Sequence, residues 1–335
     1  MGGGIAMNFA NAGIPVTILE QSQEALDKGL GVVRKNYENT AKKGRMTAEQ
    51  VEQRMGLMTG STDMNDLADV DIVIEAVFEN MDVKKDIFSK LDAICKDGCV
   101  LATNTSTLDI NEIASVTKRP QDVIGMHFFS PANVMRLLEN VRGEATADDV
   151  IMTAMDMGKK LGKVAVLVGV CDGFVGNRIL HQYIRWASIM VEDGALPEQV
   201  DKVWTDFGMP MGPFAMSDLA GLDVGYRIRK EQEATRSSNE RYVHFVDKVV
   251  EMGRLGQKTA AGVYDYIDGS RVPTPNAEVT AMILAESERK GIERREFTEE
   301  EIQNALTDLM TNEAAKILEE GIAMRPVDVD ITYIY

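Results

Sequence analysis

Five apolar, β-rich runs punctuate the first half of this chain and limit what it can fold into. They are IPVTILE (Ile14–Glu20), DVDIVIEAV (Asp69–Val77), CVLAT (Cys99–Thr103), DVIGMHF (Asp122–Phe128) and KVAVLVGV (Lys163–Val170). Short apolar runs of this kind, bounded by polar turns, suit strands covered on both faces, as in a parallel sheet. Amphipathic stretches such as FENMDVKKDIFSKLDAI lie between them, and Ser22 to about Met58 is charged and helical in pattern. Thr47, followed by Glu49 and Gln50, reads as a helix start. Strands and helices in this rhythm predict a doubly wound α/β sheet. Such sheets bind ligands beyond the carboxyl ends of their strands. Glu79, the Asn104–Ser106 turn and His127 are therefore expected along one edge.

The start of the chain narrows the ligand class. Met1-Gly-Gly-Gly4 leads into a helical stretch that stops at Gly13, then into the strand ending at Glu20, eighteen residues after Gly2. Glycine-rich turn, helix, strand and terminal acid form the second half of a dinucleotide-binding βαβ unit. Gly2 fits the third glycine of G-x-G-x-x-G, the one that packs helix against strand. Glu20 fits the acid that holds an adenosine ribose, and it would repel a 2′-phosphate, which favours NAD over NADP. The first strand and first two glycines are not in the sequence, so the chain is expected to be a piece of a longer protein.

The stretch GMHFFSPANVMRLLE (Gly125–Glu139) holds one of three histidines, with Glu139 twelve residues after His127. A histidine that titrates near neutral pH, with a second group to fix its tautomer, is what proton transfer needs. The competing reading makes His127 a satisfied core histidine and Glu139 a solvent-facing helix residue. Placement of His127 at a strand end favours the functional reading. Lys42, Lys43 and Arg45 read either as a solvated turn or as a contact for ligand phosphates.

Composition excludes several classes. A formal charge of −17 over 335 residues argues against nucleic acid and anionic membrane surfaces. Three cysteines make no disulfide framework, and Cys95 and Cys99 read as small buried residues rather than metal ligands. A reducing, cytoplasmic setting is expected. No apolar run approaches the length of a membrane span, and no secretion signal is read.

After Asp172-Gly173 the pattern becomes helical. Boundaries are placed near residues 170 and 272, giving a dinucleotide-binding domain (1–169), a helical domain (170–271) and a linker with a partial second helical unit (272–335). GMPMGPFAMSDLAGLD (Gly208–Asp223) reads as a turn-rich connection, and a long helix is expected before Gly253. ASIMVEDGALPEQVD (Ala187–Asp201) is echoed by AAKILEEGIAMRPVD (Ala314–Asp328), as duplicated helical units would be.

The stretches EAVFENMDVKKDIFSKLD, TNTSTLDI, GMHFFSPANVMRLLE, GFVGNRIL and MPMGPFAMSDLAGLDVG resemble, in order and spacing, the L-3-hydroxyacyl-CoA dehydrogenases of fatty-acid β-oxidation. The tail resembles the second helical unit of the multifunctional β-oxidation proteins. The resemblance implies a Rossmann-like NAD-binding domain followed by an all-helical domain, acting on an acyl-CoA. It implies that His127 is the general base and Glu139 its orienting partner, with Ser106 and Asn177 on the substrate oxygen. Glu20 would hold the adenosine ribose, and Gly2, Glu79, Lys84 and Asn104 would complete the NAD site. His181 and His244 match no role. The implied partners are an enoyl-CoA hydratase, fused or associated, or a second copy of the chain. Ala260 stands where the family has glycine. Competing readings are a short-chain 3-hydroxybutyryl-CoA dehydrogenase and a non-enzymatic dinucleotide fold with a damaged cofactor site.

Overall fold

The computed structural model describes residues 1–231, 233, 236–237 and 241–335. It divides into two compact units, Met1–Arg178 with Ala314–Tyr335, and Ile179–Glu313.

In the first unit, the expected alternation is present. Helix α1 (Gly2–Asn11) leads to β1 (Val16–Leu19), then α2 (Gln23–Lys42), α3 (Ala48–Met55) and β2 (Met58–Ser61). β3 (Ile72–Glu75), α4 (Met81–Ile94), β4 (Val100–Thr103), α5 (Ile110–Ala114) and β5 (Val123–Phe128) follow. β6 (Leu137–Arg142), α6 (Asp148–Lys160) and β7 (Val164–Gly169) complete the run. Helix starts are capped where the sequence supplies the side chains. Thr47 and Gln50 form a reciprocal capping box at α3, and the Asn80 side chain accepts from the Val83 amide at α4.

The strands form two sheets. Among the described residues β1 pairs with β2 alone, while β3-β4-β5-β6-β7 make a five-stranded sheet, with β1–β2, β3–β4, β4–β5 and β6–β7 parallel and β5–β6 antiparallel. β2 and β6 have no counterpart in the sequence reading. MTGS is too short and polar to show as a strand, and LLENVR follows directly on a Ser-Pro turn. β6 also corrects the competing reading of Glu139, which lies on a buried strand and not on a solvent-facing helix. β1 and β3 each have one edge without a partner strand among the described residues, although Val16, Ile72 and Ile74 pack on the same cluster around Ile5 and Phe9. Their side chains are mostly half-buried, whereas β4 and β5 are buried at every position.

α1 packs through its glycines, but not through Gly2. A Cβ on Gly2 would meet open space; on Gly3 it would lie 3.1 Å from Val33 and on Gly4 3.3 Å from the Ala132 Cβ. Among the described residues, Gly3 and Gly4 are thus the glycines of this start whose Cα atoms face neighbouring elements.

The described residues of the second unit are mainly helical, with a two-residue ladder, Tyr264–Asp265 against Thr274–Pro275. GMPMGPFAMSDLAGLD contains a helix, α9 (Pro213–Ala220), which is led by proline at its first turn and so was hidden among the turn residues. Asp201, buried on α8 (Pro197–Phe207), accepts from the Phe214 and Ala215 amides (2.9 and 2.8 Å) at the start of α9 and from the Tyr264 hydroxyl (2.9 Å). Burial outweighs these bonds and raises its carboxyl to about 6. Ala260 has φ +56°, a left-handed conformation that favours glycine. The long helix expected before Gly253 is seen as Leu222–Glu231 and Phe245–Glu251; the rest of that expectation lies outside the described residues.

The sequence echo has a structural counterpart. Each copy ends a helix, turns at a positive-φ glycine (Gly194, Gly321), starts a helix with proline (Pro197, Pro326) and carries a buried aspartate (Asp201, Asp328).

Candidate active site

β5 and β6 bring the histidine and its carboxylate together. In their antiparallel register His127 lies opposite Glu139, and cross-strand neighbours on one face stand close enough to touch. His127 Nδ1 lies 2.7 Å from Glu139 Oε2, with the histidine 5% and the glutamate 0% exposed. The other oxygen, Oε1, accepts from the Val175 and Gly176 amides at 3.1 and 2.9 Å. Those amides open helix α7 (Gly176–Asp193), whose N-terminus favours negative charge. An ionised carboxylate only accepts, so Nδ1 carries the proton and Nε2 is left as the basic nitrogen. Phe129 packs on the imidazole at 4.4 Å between ring centres and Phe174 at 5.7 Å, limiting water on its faces. Phe174 takes φ +50°, an outlier for a bulky residue, at the turn that aims these amides.

A second cluster sits at the ends of β3 and β4. Lys84 Nζ bonds Glu75 Oε1 and Oε2 at 2.8 and 3.0 Å, both side chains 1% exposed, and reaches Glu79 at 3.2 Å. The Thr103 hydroxyl donates to Glu75 Oε2 (2.7 Å) and the Val77 amide to Oε1 (2.7 Å). Glu79 Oε1 accepts from the Thr105 hydroxyl (2.6 Å), the Ser106 amide (2.8 Å) and the Ser106 hydroxyl (3.3 Å). Burial acts to raise the Glu79 carboxyl, but these bonds and the Lys84 charge outweigh it and hold the pKa below its usual value. Glu79 thus organises the Ser106 turn as a carboxylate.

Asn104 uses its side-chain oxygen to accept from the Phe128 amide at 2.8 Å, tying the Ser106 turn to the end of β5. Asn177 follows Gly176 in the first turn of α7 and is half-buried. Lys84, expected to line the NAD site, is buried and paired with Glu75 and Glu79. Glu75, Thr103 and Thr105 lie in the expected strands and turn, but the sequence gives none of them a site role of its own. An acid closing an otherwise apolar strand, nine residues before a lysine, was the available signal. Lys42, Lys43 and Arg45 lie in an exposed turn.

The residues expected at the dinucleotide end have chemistry that suits part of NAD. α1 starts at three glycines with no side-chain cap; the Gly4 amide donates to the Met1 carbonyl at 2.9 Å, which leaves the Gly2 and Gly3 amides for an anion, and Glu20 is exposed just past β1. Among the described residues no cluster suits a metal ion, and no helix is long and apolar enough to cross a membrane.

The family model described as 3-hydroxyacyl-CoA dehydrogenase, NAD binding domain, matches residues 1–171, and that described as 3-hydroxyacyl-CoA dehydrogenase, C-terminal domain, matches residues 173–266. The chain belongs to the 3-hydroxyacyl-CoA dehydrogenase family. Its order of a Rossmann-like NAD-binding domain and a helical domain is the family's. It is 42% identical over 347 aligned residues to a peroxisomal bifunctional enzyme of Danio rerio, covering 100% of this chain and 48% of that protein. It is 38% identical over 339 residues to a glyoxysomal fatty acid beta-oxidation multifunctional protein of Brassica napus, covering 100% of this chain and 47% of that protein. The chain therefore spans about half the length of the curated relatives it matches. Among solved structures, a 3-hydroxybutyryl-CoA dehydrogenase of Escherichia coli superposes with a TM-score of 0.83 at 26% identity, over 100% of this chain and 87% of that one. The peroxisomal and glyoxysomal names overturn the cytoplasmic expectation. Free thiols argue for a reducing setting, which does not distinguish the cytoplasm from an organelle.

Proposed function

We propose that this chain is the dehydrogenase part of a peroxisomal β-oxidation enzyme, oxidising L-3-hydroxyacyl-CoA to 3-oxoacyl-CoA. The observation that carries this reading is the buried His127–Glu139 pair with Nε2 free. NAD, when bound, supplies the hydride acceptor. His127 Nε2 takes the proton of the substrate 3-hydroxyl, and Glu139 holds the ring and stabilises the imidazolium. Ser106, oriented by Glu79, and Asn177, in the first turn of α7, contact the substrate oxygen. The amides of Gly2 and Gly3 and the Glu20 carboxylate hold the pyrophosphate and adenosine ribose, and Glu79 and Asn104 shape the nicotinamide side. An enoyl-CoA hydratase, as the bifunctional and multifunctional names of the relatives suggest, would deliver the substrate.

The test is reduction of acetoacetyl-CoA by NADH, with the chain as it stands and with an added N-terminal β-strand and G-x-G turn. His127→Gln should lower kcat about 10²–10⁴-fold, the usual worth of a general base. A rate within about threefold of the parent sinks the base assignment. The likeness to a 3-hydroxybutyryl-CoA dehydrogenase favours a short-chain preference as the second reading, and the same assay over a series of acyl lengths separates the two.

A further inference from the structure

The stretch Ala314–Tyr335 folds with the sheet unit, although it lies beyond both stretches that the family models match. After the turn at Gly321 it adds a short antiparallel bridge to the open edge of β7. The Gly169 amide donates to the Ile322 carbonyl at 2.7 Å, and Val168 pairs with Ala323. α14 (Pro326–Ile334) then runs to the start of α7. There the Tyr333 hydroxyl donates to the Gly176 carbonyl at 3.0 Å. Two residues on, Arg178 pairs with both oxygens of Glu320, at 2.5 and 2.9 Å.

Gly176 is held on three sides. Its amide donates to Glu139, its carbonyl accepts from Tyr333, and its Cα is walled in. A Cβ there would stand 3.1 Å from Phe129 and 3.3 Å from Thr332, one residue from the active-site aromatic pair and the other from the tail. The carbonyl has a second lone pair beyond the one a helix uses, which the phenol takes. Charge-assisted bonds to a carboxylate depend steeply on alignment, so motion of this peptide weakens the hold on Glu139.

We propose that Tyr333 is a positioning residue for His127: its hydroxyl fixes the Gly176 peptide, whose amide fixes Glu139, which fixes the imidazole tautomer. A tail that only covered apolar surface would need the ring and not the hydroxyl. The proposal rests on the roles given above to His127 and Glu139.

The experiment compares the parent chain with Tyr333→Phe and Glu320→Gln, using long-range ¹H–¹⁵N spectra of the His127 ring and hydrogen exchange of the Val175 and Gly176 amides. Tyr333→Phe removes one oxygen and keeps the packing. It should speed exchange at the two amides by up to about tenfold, the size of one net hydrogen bond, and populate the second tautomer of His127. Glu320→Gln breaks the neighbouring ion pair and should leave the tautomer alone. The proposal is overturned if Tyr333→Phe leaves exchange and tautomer unchanged, or if Glu320→Gln shifts them equally, which would make the tail a general cover. Neither readout needs NAD or turnover. An inactive chain with a shifted tautomer would therefore count against the proposed activity and not against the brace.

Discussion

The β4–β6 region and the α1–β1–β2 region belong to one α/β unit but are held by different means. β4 and β5 are buried at every residue, and each is paired on both sides. β1 is half-buried throughout and paired on one side, in a sheet of two strands. A two-stranded ribbon is marginal on its own, so β1 and β2 depend on the helices α1 and α2 packed over them. The difference teaches where each function sits. The buried His127–Glu139 pair proposed for proton transfer lies in the closed half. The glycine start and the exposed Glu20 proposed for the dinucleotide lie in the open half.

The sharpest way to break this comparison is through charge. Lys84→Met strands Glu75 without its cation in a fully buried position. Removing one partner of a buried pair costs about 3–5 kcal/mol, read as a lowered urea midpoint with unchanged slope. On the open side the Arg34–Glu52 pair is solvent-exposed, and Arg34→Ala should leave the midpoint where it is. Equal losses from the two variants would remove the distinction between the halves.

How much of this was legible in the sequence follows the same division. The runs of β3, β4, β5 and β7 announced a sheet covered on both faces because, apart from Glu75, Thr103 and His127, their side chains are apolar. β2 and β6 did not, since MTGS and LLENVR carry polar residues that only the tertiary setting explains. His127 and Glu139 were legible as candidates, but their contact was not, because a twelve-residue separation says nothing about antiparallel register. Glu75 and Lys84 meet only because α4 folds back on β3, which no local pattern encodes. The glycine start was legible as a helix N-terminus, but which of its glycines are crowded was not. Sequence order shows which glycines are present, and only the neighbours Val33 and Ala132 show which are crowded.

Glycine offers a second, smaller probe. A Cβ on Gly125 in β5 would run into Ile110 and stand 2.8 Å from the Val141 Cβ. Overpacking of this kind costs about 1–3 kcal/mol, so Gly125→Ala should lower the thermal midpoint. Gly2→Ala, with nothing within 4 Å of the new methyl, should leave the midpoint unchanged. If Gly2→Ala proves as damaging as Gly125→Ala, α1 is packed more tightly than its neighbours indicate.

The smallest expected effect tests the point that joins the two regions. The Ala132 carbonyl accepts from Asn8 of α1 at 3.0 Å and from Lys163, just ahead of β7, at 2.6 Å. Lys163 also donates to the Met135 carbonyl at 2.7 Å, so its ammonium spans the loop that follows β5. Burial lowers its pKa from 10.5 to about 8. The folded state therefore binds fewer protons than the unfolded state between those values, and stability should rise with pH across that window. The neutral amine still has two hydrogens for the two carbonyls, so deprotonation leaves the loop bonded. Because Lys163 is half-exposed, solvent screening keeps the slope well below that of a full proton. Chemical denaturation at pH 8 and pH 10 should show the gain in the parent and lose it in Lys163→Met. A gain that survives the substitution would place the titrating group elsewhere and leave the shared carbonyl as a purely geometric link between the halves.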